Sequence, residues 1–380
     1  MFIYRLLGKI RNLKRINQIE PSMDESEKKE LLSVIDSGWF TEAAKTKQFE
    51  QMFASFTGSK FACAVTSGTS GLYLALNALN IKNNDEVLVP DLTFVASPNS
   101  IYANSAKPIL IDIEDDSLNL DDKLLGKKIT KNTKAIMTVN FNGRTANMKL
   151  LQEIAKKHNL HLIEDAAHSL GSYYGNKHQG NQSDVAVFSF STPKIITTGQ
   201  GGMIITNNKK IFERCKELKD FGRKIDAKKK MLSAFQHDTI GYNFKFTEFQ
   251  AAIGISQMKK LEKRMKMKKN MFKMYQELLG KIDEIEFIET DLKKITPWMV
   301  DIILKNKKNR LNLINFLEKK NVESRIFYPP IHRLKPYIQS DKKFKVTSKI
   351  SDSGLWLPSS VTLDEKQINY ISKQIIDFFN

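Results

Sequence analysis

The chain has 380 residues, with 60 Lys and Arg against 42 Asp and Glu, for a formal net charge of +18. Two cysteines, 18 glycines and 10 prolines exclude a disulfide-stapled scaffold and a collagen-like or low-complexity chain. No apolar run approaches the ~20 residues of a membrane span, and the length predicts about two domains.

Of the 60 basic residues, 50 are Lys and 10 are Arg. Bidentate reading of phosphates and bases favours Arg, and no zinc-finger or aromatic-interleaved motif occurs. The charge therefore reads as solvated faces, with no nucleic-acid partner expected.

Residues 1–17 form a basic N-terminal arm. An anionic membrane could attract it, but an ordinary terminus, free or packed on a partner subunit, is the simpler reading. Residues 20–36 show helical periodicity, with Ser22 or Asp24 as N-cap and Ser37-Gly38 as the stop. Seven apolar runs follow, at 61–65, 86–89, 108–113, 134–140, 159–164, 184–190 and 202–206, with helical patterns such as 71–80 and 147–158 between them. That alternation predicts an α/β domain over 18–255 with a mostly parallel seven-stranded sheet. One long helix is expected near 246–279. Strands near 285–289 and 298–304, a helix at 308–320 and a last helix at 364–379 predict a smaller α+β domain over 256–380.

Ligands of a parallel sheet bind beyond the carboxyl ends of its strands. Those ends carry Thr66-Ser67-Gly68-Thr69-Ser70-Gly71, then Asp91 to Ser97, Asn140 to Arg144, Glu164 to His168 and Ser189 to Lys194. The first opens a helix and can cup a phosphate. Neither the Rossmann nor the Walker A pattern is present. His158, His161, His178 and His237 have no metal-ligand spacing, so no metal is expected. Lys194 follows an apolar strand, where a desolvated amine becomes a nucleophile for carbonyls. A lysine, the carboxylate Asp165, a stacking aromatic and a phosphate cup meet the needs of pyridoxal phosphate.

These segments resemble the DegT/DnrJ-type sugar aminotransferases, fold-type I pyridoxal-phosphate enzymes. The resemblance rests on TSGTSGLYLAL at 66–76, NDEVLVPDLTFVAS at 84–97, EDAAHSLGSYYGNKHQG at 164–180, FSFSTPKIITTGQGGMI at 188–204, GYNFKFTEFQAAIG at 241–254 and RIFYPPIH at 325–332. It implies that Lys194 bonds to the cofactor and carries the substrate proton. Asp165 pairs with the ring nitrogen, Phe94 stacks on the ring, and Gly68, Thr69 and Ser189 hold the phosphate. His168 sits near the ring oxygen. Asn243 reaches a neighbouring subunit's cofactor in a homodimer, and Tyr328 and His332 line a nucleotide-sugar cleft. Relatives with His at the Lys194 position deoxygenate the sugar; Lys here implies transamination, in the cytoplasm, from glutamate to a nucleotide-linked keto sugar. Gln200, and Asn140 with Asn142, depart from the family pattern and are expected to alter substrate contacts. So does the segment after SGW, which lacks the usual Gly-Pro. Two alternatives remain at this point: another ketone such as a keto-inositol, or a non-catalytic module gripping anions through basic stretches 209–230 and 258–273.

Overall fold

The computed structural model describes residues 15–224 and 235–380. The expected N-terminal arm therefore lies almost wholly outside the described residues, as does the end of the 209–230 basic stretch.

The seven runs form strands β1 Phe61–Val65, β2 Glu86–Pro90, β3 Lys107–Ile111, β4 Thr133–Val139, β5 His161–Asp165, β6 Val185–Ser189 and β7 Gly202–Thr206. Their order in one sheet is β1-β7-β6-β5-β4-β2-β3. The pairs from β3 to β6 are parallel, whereas β7 runs antiparallel to both β6 and β1. A parallel return needs a crossover, usually a helix. The 190–201 connection has none; it forms the turn that carries Lys194, so β7 comes back reversed. Central strands such as β7 are buried throughout, as a sheet covered on both faces requires.

The covering helices include α1 Glu25–Ser37, α2 Ala44–Thr57, α3 Gly68–Ala78, α4 Ala96–Ala103, α5 Met148–His158 and α6 Lys209–Leu218. Asp24, not Ser22, caps α1: its carboxylate accepts from the Ser26 N–H, and Glu27 reciprocates. Gly38, at φ 65°, ends the helix. Helix α2 starts at Ala43, which has no capping side chain. The Glu248 carboxylate supplies the cap, accepting the N–H groups of Ala43, Lys45 and Thr46 and the Thr46 hydroxyl.

The expected single helix at 246–279 is two, α7 Glu248–Lys259 and α8 Leu261–Leu279, broken at Lys260. The break falls where burial changes. Helix α7 is enclosed on most sides, and Gly254 lies so close to Phe49 that a Cβ would sit 2.8 Å from its ring. Helix α8 buries only one face.

A second sheet, β8 Ile285–Glu286, β9 Val300–Leu304, β10 Arg325–Ile326 and β11 Gly354–Leu357, is antiparallel with order β8-β9-β11-β10. Helices α9 Lys308–Lys319, α10 Lys345–Ser353 and α11 Glu365–Phe379 complete it. Ile16 joins the apolar core of this C-terminal part and bridges Val322. The described start of the chain thus packs with its end. A buried ion pair, Arg144 with Asp301 at 2.7 and 2.9 Å, ties the loop after β4 to β9.

Candidate active site

A cavity of about 340 Å³ opens at the carboxyl ends of the parallel strands. Of the cofactor- and substrate-binding residues that the resemblance implies, it gathers all except Asn243 and His332.

Asp165 ends β5 and is buried. Its Oδ2 accepts the Ser97 hydroxyl at 2.7 Å, and its Oδ1 accepts the Ala167 N–H at 3.2 Å. Burial lifts this carboxyl above its ordinary range, while Ser97, Ala167 and the Lys194 charge pull it back.

Lys194 faces the cavity from its turn, and the turn is held on both sides. The Trp298 indole N–H donates to the Pro193 carbonyl at 2.7 Å, and Arg264 donates to the Ile195 carbonyl at 3.0 Å. The Lys194 Nζ lies 4.1 Å from the centre of the Trp298 ring. Part of the side chain meets the cavity, but dense protein around it pulls the amine down to about 7, against the charge of Asp165.

A pH dependence follows. In cofactor-free protein, acylation of Lys194 by an amine-directed reagent should rise through about pH 7, whereas exposed lysines respond near ~10.4. Peptide mass spectrometry reads the difference, and a half-point for Lys194 near that of exposed lysines would refute it. The folded state binds fewer protons at Lys194 than the unfolded state between about pH 7 and the ordinary lysine value. Stability therefore rises with pH across that window, and Lys194→Met should flatten the rise.

Helix α3 begins with Ser67 as N-cap, reciprocated by Ser70, and its first residues Gly68 and Thr69 line the cavity, where a helix N-terminus suits an anion. Ser189 lies against them: a Cβ on Gly68 would come within 3.1 Å of the Ser189 Cβ. A Cβ on Gly202 would come within 2.6 Å of the Ser67 carbonyl. Close backbone approach is what a phosphate cup needs.

Phe94 is 51% exposed at the cavity, with the Tyr328 ring 5.4 Å away. Tyr328 also lines the cavity, and burial raises its phenol above the ordinary value. His168 stacks on Trp298 at 3.9 Å and 21°. Desolvation and then the Lys194 charge hold it neutral, well below 6.5. Its Nδ1 is buried with no hydrogen-bond partner.

His332 is not part of the cleft. Its ring is wholly buried, stacked on Phe344, with its nitrogens 2.6 Å from Asp91 Oδ2 and 2.8 Å from Asp341 Oδ1. It fastens the 331–333 turn to the end of β2. Asn243 is exposed, lies outside this cavity and bridges Asp220.

Two of the departing residues also differ from expectation. Asn140 is buried and donates to Glu164 at 2.9 Å. Asn142 brackets the Met299 backbone with two hydrogen bonds, 2.9 and 2.7 Å. Neither lines the cavity, whereas Gln200 does.

The sequence reading did not single out Ser97, Trp298, Gln18 or Arg325, all of which touch Asp165 or the cavity. Ser97 stood in the quoted 84–97 segment, four residues after Thr93, with which it shares a 2.8 Å hydrogen bond. Arg325 stood at the head of the quoted 325–332 segment. Gln18 and Trp298 come from distant segments, and no local pattern marks them.

The donor set fits pyridoxal phosphate on its own terms: an amine lowered toward neutrality, a buried carboxylate for a ring nitrogen, an unpartnered imidazole nitrogen for a ring oxygen, a half-exposed aromatic face and an anion cup of helix-end backbone and the Thr69 and Ser189 hydroxyls.

Comparison with known proteins agrees. The description of the DegT/DnrJ/EryC1/StrS aminotransferase family matches residues 21–376. The chain is 34% identical to a GDP-perosamine synthase of Escherichia coli O157:H7, covering 97% of this chain and all of that one. It is 36% identical to a GDP-perosamine synthase of Vibrio cholerae, covering 95% and 98%. Among solved structures, Helicobacter pylori PseC, an aminotransferase involved in the biosynthesis of pseudoaminic acid, superposes with a TM-score of 0.89 at 27% identity, covering 96% and 99%. The chain belongs to the DegT/DnrJ/EryC1/StrS aminotransferase family and is a pyridoxal-phosphate-dependent aminotransferase.

Proposed function

We propose that this enzyme moves the amino group of glutamate to the keto group of a nucleoside-diphosphate-linked deoxy sugar, for surface polysaccharide or glycan synthesis. The observation that carries the reading is the enclosed Lys194 amine facing the same cavity as Asp165. The substrate class is supported by relatives named for GDP-perosamine, a nucleotide-linked amino sugar.

Pyridoxal phosphate supplies an electron sink for the bond broken at the substrate carbon. Lys194 Nζ, whose burial favours the neutral amine, takes and returns the proton at that carbon. Asp165 pairs with the ring nitrogen and is itself oriented by Ser97. Phe94 and His168 hold the ring, and Gly68, Thr69 and Ser189 hold the phosphate. Tyr328 and Arg325 line the substrate side.

Trp39 and Phe40 are exposed outside the cavity. Such apolar surface suits a homodimer, in which Asn243 reaches the other subunit's cofactor. The boundary between the large cofactor-binding domain and the smaller C-terminal domain, expected near residue 255, is best drawn at Lys260, where the helix breaks. We place the enzyme in the cytoplasm; no described helix is long and apolar enough to cross a membrane.

The test runs the reaction backwards. Purified protein given GDP-perosamine and 2-oxoglutarate should form glutamate, and nucleotide keto sugars should accept amine from glutamate. Acceptance of a keto-inositol and of no nucleotide sugar would sink the substrate assignment while leaving transamination intact.

A further inference from the structure

Gln18 sits at a bend two residues after the Ile16 bridge, and its backbone is pinned on both sides. Its N–H donates to Glu323 Oε2 at 2.9 Å, and its carbonyl accepts the Ser359 N–H at 2.8 Å. Its side chain is wholly buried and lines the cavity that holds Lys194 and Asp165.

The side-chain amide has a defined orientation. Nε2 donates to Met299 Sδ at 3.1 Å and approaches the Leu357 carbonyl at 3.5 Å. Exchanging nitrogen and oxygen would set two acceptors against each other there. In the observed orientation Oε1 has no hydrogen-bond partner. A buried acceptor left unmet is costly, and an apolar side chain of the same size would avoid the cost.

Gln18 lines the substrate cavity, so a donor brought by the bound substrate is one way to meet this acceptor. Glutamate offers none beyond its reacting amine, because carboxylates only accept. A polyhydroxy ketone offers several hydroxyls. We infer that Gln18 is a specificity-determining residue whose Oε1 accepts a hydrogen bond from one hydroxyl of the keto substrate. This rests on the functional reading above and adds to it the group by which the second substrate is told from the first.

The test compares holoenzyme with a Gln18→Met variant, which keeps volume and loses the acceptor. The two half-reactions are followed separately by visible absorbance, with glutamate and then with the accepted ketone and its mono-deoxy analogues. The expected result has three parts. The kcat/KM for the ketone falls about tenfold more than that for glutamate. For one mono-deoxy analogue the variant and parent become equal. The melting temperature does not fall, since the folded protein loses an unmet acceptor.

Equal loss in both half-reactions, or the same loss on every analogue, would overturn the assignment and leave Gln18 a packing residue for Met299. If wild-type enzyme accepts no nucleotide keto sugar, the functional reading fails instead. The same hydroxyl comparison on keto-inositols and their deoxy forms then decides for or against Gln18.

Discussion

Replacing Lys194 by alanine is expected to lower transamination by at least about a thousandfold, since one group supplies both covalent attachment and proton transfer. The visible absorbance of the cofactor-loaded protein should vanish with it. The protein should stay folded, because the Lys194 Nζ leans on the Trp298 ring while the turn itself is held by backbone acceptors, Pro193 and Ile195. Lys194→Arg separates two explanations. Arginine keeps a cation over Trp298 but cannot become neutral near pH 7. If charge alone mattered, arginine would rescue; the lowered amine predicts that it will not. Single-turnover absorbance with glutamate, alongside circular dichroism, reads both variants. Activity within tenfold of wild type in either would refute the assignment.

The largest effect on stability should come from Asp301→Ala. The Asp301 carboxylate is fully buried against a nearly buried Arg144. Removing it strands a guanidinium whose other partners, the Glu289 carbonyl and the Thr290 hydroxyl, are neutral. Breaking such a pair costs about 3–5 kcal/mol, a large share of a typical folding free energy. Replacing both partners by apolar residues, Arg144→Met with Asp301→Leu, should recover most of the loss. Urea unfolding measures both, and a double variant no more stable than the single one would show that the pair contributes more than mutual neutralisation.

Much of this molecule was legible in its sequence. The seven strands are near-continuous apolar runs bounded by polar turns, because a sheet covered on both faces permits nothing else. The Lys194, Asp165 and Gly68 positions follow directly from those strand ends. What could not be read depends on distant pairing. Trp298 and Arg264 brace the Lys194 turn from segments far along the chain. The reversal of β7 follows from a connection too occupied with that turn to form a crossover. His332 was placed in the cleft on local resemblance, but its two carboxylate neighbours draw it into the interior. Helix α10 and strand β11 were missed because KVTSKISDS offers a mostly polar face and GLWL is short.

The cap on α2 has a consequence for the order in which the chain can mature. Helix α2 lies early in the sequence, yet the oxygens that close its first turn belong to Glu248, some two hundred residues later. On a ribosome this helix emerges long before its cap does. Until Glu248 arrives, three early N–H groups must be left to water, so α2 begins its life as an unfinished helix. The last step in securing the front of the large domain thus waits for the helix that leads out of it, and a nascent chain stopped short of Glu248 keeps that front loose.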